Sequence, residues 1–228
     1  MRLLAIETTG MAGSVAALHD GNLLAELDLP PHQGSSQSLA PTLQRLLAAV
    51  GWHPMEVQGV AVVAGPGSFT GLRVGVTAAK TFAYAVGAEV IALDTLEVIA
   101  VAAPSAIARL SVAVDAQRGQ VVAGDFVRAS DGWVHPTGPA GLLDCADWWA
   151  GLSPGSLVAG PVLRQLNERL PGHLVALDPQ YWFPRAAAAG RLAARLLAAG
   201  QRDDLWSLVP RYSRPSAAEE KWAVKKRQ

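Results

Sequence analysis

One order of elements runs through this chain twice, and that order narrows the fold more than any other feature. Residues 3–6 form a short apolar run with strand character. Residues 14–19 and 23–29 flank Asp20–Gly21–Asn22, a hairpin signal between extended segments. From Gln37 the period changes: Leu39, Leu43, Leu46, Leu47 and Val50 fall on one face of a helix that Gly51 stops. Pro41 places the first turn of that helix around itself. A strand over 59–64, a helix over 72–86, a strand over 90–93 and a helix from an Asp94–Glu97 capping box to Ala103 complete the first run.

After a break at residues 104–109 the order begins again. Strands are predicted over 110–114 and 120–127, with a weaker one near 134–143. A helix over 144–150, a strand over 157–159, a helix over 162–170, a strand over 173–177 and a helix over 184–199 complete the second run. Two such units predict an α/β protein of two similar actin-like (ribonuclease-H-like) lobes, each a mixed sheet flanked by helices. The predicted lobes are residues 1–106 and 107–228. The segment beyond Gln201 is expected to pack across both before a frayed basic tail at Lys225–Lys226–Arg227.

Composition removes several function classes. Lys+Arg and Asp+Glu both number 19, so no bulk field draws nucleic acid to the chain. Cys145 is the single cysteine, which leaves no disulfide within the chain and no cysteine metal cluster. A helix start after Asp144 makes a small buried thiol its expected role. The first residues lack the pattern of a signal peptide, and no apolar run is long enough to span a membrane. A cytoplasmic protein is expected.

The stretch "AGPGSFTGLRVG", Ala64 to Gly75, is the most unusual local sequence. It is not a P-loop, because no lysine follows the second glycine at the required place. Nor is it the dinucleotide fingerprint, since Thr70 stands where the third glycine belongs and Gly71 arrives one residue late. Strand, glycine loop and helix still leave first-turn N–H groups near Thr70–Arg73 for an anion, or for caps from Ser68 and Thr70. Phe69, at the loop tip, either plugs the core or anchors a partner. Along the next helix Leu72, Val76, Ala79, Ala83 and Val86 make one stripe, and Arg73, Thr77, Lys80 and Tyr84 another. Small residues here and over 40–50 allow a second helix to approach closely.

Catalytic constellations are thin. Actin-like nucleotide sites use a hairpin at the start of each lobe, and the matching stretches are "IETTG" and "DAQRG". Glu7 and Asp115 are the carboxylates there, with Thr8, Thr9 and Gly67 as further phosphate contacts. They define the alternative reading, a small ATP-dependent phosphotransferase or ATPase using magnesium. The five histidines include no i, i+4 pair, which disfavours a zinc peptidase. "GPGSFTG" holds its serine out of frame for a nucleophile elbow.

"LLAIETT" followed by a hairpin, "GPGSFTGLRVG", "DAQRGQVV" and "LVPRYSR" occur in order. Together they resemble the TsaB family of bacterial tRNA threonylcarbamoyladenosine biosynthesis proteins, over nearly the whole chain. The resemblance implies a non-catalytic activator and scaffold that heterodimerises with the paralogue TsaD. TsaD transfers threonylcarbamoyl to the adenosine beside the anticodon of tRNAs that read codons beginning with A. It further implies TsaE as a third subunit, tRNA contacted through the complex, and a homodimer when alone. This chain is expected to bind no cofactor tightly by itself, with ATP or ADP and a metal ion on partner subunits. The partner surface is expected at Leu39, Leu43 and Leu46 with the helix from Gly71. That helix contributes Arg73, Val76, Ala79, Lys80 and Ala83, with Ser68, Phe69 and Thr70 at its edge. Glu7 stands where the family usually has aspartate, and Ser35–Ser36 where many members have a histidine followed by serine or threonine.

Overall fold

The computed structural model describes residues 1–10 and 12–214. The basic tail at Lys225–Arg227 lies outside them. The first lobe is a five-stranded sheet of β1 (Arg2–Glu7), β2 (Ser14–His19), β3 (Asn22–Asp28), β4 (Gly59–Gly65) and β5 (Glu89–Asp94), in the order β3-β2-β1-β4-β5. β1, β2 and β3 form an antiparallel meander, while β4 and β5 run parallel to β1. Asp20 and Gly21 turn the β2–β3 hairpin at φ 50° and 78°, as the Asp–Gly pair predicts.

The second sheet repeats the plan. It contains β6 (Arg109–Asp115), β7 (Gln120–Arg128), β8 (Val134–Pro136), β9 (Gly141–Asp144), β10 (Leu157–Ala159) and β11 (Val175–Ala176). Its order is β11-β10-β6-β7-β8, and β9 also pairs with β7. The weak strand expected near 134–143 is therefore two short ones, both antiparallel to β7. Two mixed sheets in one strand order, each with helices on its faces, are the two-lobed α/β architecture that the repeated element order predicts.

Helices α1 (Ser35–Ala49) and α2 (Phe69–Val86) cover one face of the first sheet. Leu39, Leu43, Leu46, Val76, Ala79 and Ala83 meet Leu4, Ile6, Val60 and Val62 there. α1 starts before Gln37, so Pro41 lies in its interior and not in its first turn. Burial of four leucines on the sheet outweighs the hydrogen bond that Pro41 removes.

Two further helices are exchanged between the lobes. α3 (Thr95–Ala102) comes directly after β5, yet Leu96, Ile99 and Ala100 enter the core of the second lobe. Val98 faces the first, so a helix apolar on nearly every side is buried from both directions. α6 (Ala186–Ala198) comes from the second half and packs on the first sheet through Ala186–Ala189, Leu192 and Ala193. Its alanines and Gly190 permit close approach, since a Cβ at Gly190 would lie 2.1 Å from Leu18 Cδ1. The second lobe keeps only α4 (Cys145–Ala150) and α5 (Leu163–Leu166) among the described residues. Cys145 opens α4 half-buried, not in the core.

Candidate functional site

β1 and β4 are parallel neighbours, so their C-terminal ends open side by side. This sets the turn after Glu7 against the glycine loop after Gly65. The Ser68 N–H donates to the Thr9 carbonyl at 2.7 Å, and Thr8 Oγ1 donates to the Gly71 carbonyl at 2.7 Å. A Cβ at Gly71 would stand 1.9 Å from the Thr8 carbonyl oxygen, one at Gly75 2.3 Å from Thr8 Oγ1, and one at Gly67 2.7 Å from Thr9 Cβ. At Gly65, whose φ is 128°, a Cβ would stand 2.2 Å from the Arg211 carbonyl oxygen. The glycines thus serve close packing by the chain's own backbone. Ser68 caps α2, accepting from Gly71 N–H at 3.3 Å, and its carbonyl accepts from Leu72 N–H at 2.8 Å. Thr70 is exposed and the cap belongs to Ser68 alone.

Glu7 is fully buried in this turn. Its Oε1 accepts from Thr9 N–H at 2.5 Å and Thr9 Oγ1 at 2.6 Å. Oε2 is buried with no partner. Desolvation pushes the carboxyl up to about 7, against the opposing pull of the Thr9 bonds and of Arg185. Arg185 itself is committed to Glu26 at 3.0 Å and Asp28 at 2.6 Å. Beside the turn, a cavity of about 250 Å³ lies between Thr8, Gly10, Gly13 and residues 29–35.

Residues 203–212 form a strap along β5 and α2. Asp203 exchanges bonds with the β5 backbone at Val90 and Ala92, and Arg211 N–H donates to the Ala64 carbonyl at 2.7 Å. Lys80 Nζ donates to the carbonyls of Trp206 and Leu208 at 3.1 and 2.9 Å. Tyr212 stacks on Phe69 with centroids 4.5 Å apart, and Arg73 lies 4.0 Å over Phe69 while its Nε donates to the Tyr212 hydroxyl at 2.9 Å. These contacts of residues 203–212 are all with the first lobe, and residues 215–228 of the segment expected to pack across both lobes lie outside the described ones. Phe69 is accordingly neither a core plug nor a free anchor, but one member of a half-exposed cluster.

Two groups of predicted residues now separate. Leu39, Leu43, Leu46, Gly71, Val76, Ala79 and Ala83 are buried beneath their own helices and do not form an outward surface. The apolar stripe of an amphipathic helix goes to the sheet it covers, which the period alone leaves open. Ser68, Thr70 and Arg73 are exposed, and Lys80 is half-buried. Glu7, Thr8, Thr9 and Gly67 join Ser68 and Gly71 in a single packing unit. Asp115 stands elsewhere, exposed on the β6–β7 hairpin, with Oδ1 accepting from Gln117 N–H at 2.7 Å. Gln117, Arg118 and Gly119 all have positive φ there, 64°, 57° and 76°. Sequence reasoning missed Arg211 and Tyr212, although both lie in the block "LVPRYSR".

Magnesium and a nucleotide do not fit these residues. The first-lobe carboxyl is turned into its own loop, where burial disfavours its charged form, and Gly67 and Gly71 are packed against Thr8 and Thr9. Among the described residues no cluster of three or more His, Cys, Asp or Glu is placed for a metal ion. No helix among them is long and apolar enough to cross a membrane.

Fold and site together define a two-lobed chain of the actin-like plan whose glycine loop is a packing joint. Relatives give the particular family. The chain is 30% identical to the tRNA threonylcarbamoyladenosine biosynthesis protein TsaB of Bacillus subtilis, over 97% of this chain and 98% of that one. It is 34% identical to the Escherichia coli TsaB over 59% of each. YeaZ from Pseudomonas aeruginosa superposes with a TM-score of 0.80 at 28% identity, covering 92% of this chain and 99% of that one. The family model described as "TsaD: tRNA N6-adenosine threonylcarbamoyltransferase" matches residues 31–140. The chain belongs to the TsaB family of tRNA threonylcarbamoyladenosine biosynthesis proteins. That membership does not favour the phosphotransferase reading.

Proposed function

We propose that this chain is a non-catalytic subunit of the complex that transfers threonylcarbamoyl to the adenosine beside the anticodon, and that it acts by heterodimerising with TsaD. The observation that carries the reading is the packed glycine loop. A TsaB-family chain whose glycine loop is packed on Thr8 and Thr9 is built to hold α2 in place, not to hold a nucleotide. In this reading the nucleotide, the metal and the transfer chemistry belong to TsaD, with TsaE as a third subunit and tRNA bound by the assembly in the cytoplasm. Self-pairing when alone uses the same helices.

The partner surface is then the outer face of α1 and α2, not the leucine stripe. Ala40, Gln44, Ala48, Thr77 and Thr81 are exposed on it. Arginine at Leu43 or Ala79 breaks the core and tests nothing, whereas Ala48→Arg and Thr77→Arg probe the surface itself. Reconstitution decides the function: tRNA modification by TsaD and TsaE is expected to need this chain. Full modification without it sinks the reading. Either surface variant is expected to lose co-purification with TsaD while its unfolding curve stays that of the parent.

A further inference from the structure

The helix layer of the first lobe is charged in one sense only. α1 and α2, of 15 and 18 residues, contain Arg45, Arg73 and Lys80 and no aspartate or glutamate. In a chain with 19 residues of each sign, that is a marked sorting of charge. Arg45 and Arg73 are exposed. The strap beside α2 adds exposed Arg211 and sets Trp206 and Val209, 72% and 64% exposed, on the same side as Tyr84, 67% exposed. Tyr84 and Trp206 meet edge to face at 5.5 Å. Asp204 on the strap offsets part of the Lys80 charge.

Solvated faces mix both signs, and aromatic side chains with arginine mark the energetic centres of interfaces. We infer that this face selects a heterologous protein partner whose opposing helices carry carboxylates, and that its like charge holds back pairing with a second copy of this chain. The inference rests on the heterodimer reading above. In a twofold homodimer the same patch meets itself, so each cation faces a cationic surface. An acidic partner turns the same groups from repulsive to attractive, which sets partner choice as much as affinity. A protein is favoured over RNA because the face is mainly small, aromatic and apolar, with few cations to neutralise phosphates.

The two pairings respond to salt in opposite directions, and that is the test. Sedimentation of the purified chain, alone and with purified TsaD, is compared at about 50 and about 500 mM salt. The heterodimer is expected to weaken by roughly fivefold or more as salt rises, and self-association to hold or tighten. Arg45→Glu lies at an exposed position, so an unchanged circular dichroism spectrum confirms its fold. It is expected to weaken the heterodimer by a similar factor at low salt and by little at high salt. A heterodimer indifferent to both salt and Arg45→Glu overturns this inference and leaves the subunit reading standing. A homodimer that tightens at low salt also overturns it. No heterodimer at either salt overturns both. Salt-sensitive binding of tRNA by the chain alone, lost in Arg45→Glu, reassigns the face to a polyanion and overturns the inference.

Discussion

The same tripeptide follows equivalent strands in the two lobes, Ala64–Gly65–Pro66 at the end of β4 and Ala159–Gly160–Pro161 at the end of β10. Their glycines have φ of 128° and 127°, and in each a Cβ would meet a backbone carbonyl. The carbonyl differs. For Gly160 it is Ala113 in the adjacent strand β6, 1.9 Å from the added atom, whereas for Gly65 it is Arg211 on the strap, at 2.2 Å. The helices that the two turns lead into differ too, with four residues in the second lobe and 18 in the first. The repeated architecture therefore places a glycine of positive φ after each strand, and the residues packed on it decide what the turn supports. In the first lobe Thr8, Thr9 and Arg211 hold it from two sides, and a broad helix layer is built on it.

Substituting the paired glycines tests that contrast most severely. Gly160→Ala forces a left-handed side chain into a core strand and is expected to destabilise by about 4 kcal/mol or more. Gly65→Ala carries the same backbone strain, but the strap can shift, so about 2–3 kcal/mol is expected. Urea unfolding measures both. Equal losses would erase the distinction between a turn locked by the core and one locked by the strap.

The carboxylates of the two hairpins differ in the next largest amount. Glu7 is buried with its pKa raised to about 7, and Asp115 is exposed. A carboxyl raised on folding stabilises the fold below its unfolded pKa of about 4.5, and that stability is lost as pH rises through about 7. Glu7→Gln keeps an acceptor for Thr9 and removes the ionisation. It is expected to be more stable than the parent at pH 8 by about 3 kcal/mol, roughly 10 °C in Tm, with little difference at low pH. Asp94 and Glu97, also raised by burial, tilt the parent curve the same way, so the parent–variant difference is the quantity to read. Asp115→Asn is expected to stay within about 0.5 kcal/mol. A Glu7→Gln curve parallel to the parent from pH 5 to pH 8 would refute the buried-acid account.

Thr8→Val leaves the size of the side chain and deletes its bond to the Gly71 carbonyl. About 1–2 kcal/mol is expected, because that acceptor is buried at the joint. A neutral effect would mean that glycine contact alone, without the hydroxyl, seats the loop on the turn.

Local pattern makes several features legible in the sequence: the repeated element order, the Asp20–Gly21 hairpin, the Ser68 cap and the Asp94 cap, whose carboxylate accepts from Leu96 and Glu97 N–H groups. Each depends on residues within a few positions of one another. The exchange of α3 and α6 is not legible, since nothing in their periodicity says which sheet they cover. The leucine stripe of α1 reads as an outward surface for a similar reason: amphipathicity gives a face but not its destination. The glycine density of residues 65–75 is plain in the sequence, while its cause lies in Thr8 and Arg211, far away along the chain. Glu7–Thr9 and Ser68–Arg73 consequently read as two sites, nucleotide and partner, where packing makes them one.

Tyr212→Phe makes the smallest and most local change. The hydroxyl that accepts from Arg73 is lost, while the ring stack on Phe69 stays. The site is partly exposed, so water replaces the bond and global stability falls by about 0.5 kcal/mol. The useful readout is local. Arg211 N–H, bonded to Ala64 beside the Ala–Gly–Pro turn, is one residue away. If the strap holds that turn, hydrogen exchange at Arg211 speeds up in Tyr212→Phe and more in Tyr212→Ala. Amides of β10 beside the second Ala–Gly–Pro turn keep their rates. Faster exchange at both turns would show that the strap stabilises the whole chain, and the contrast between the lobes would reduce to the lengths of their helices.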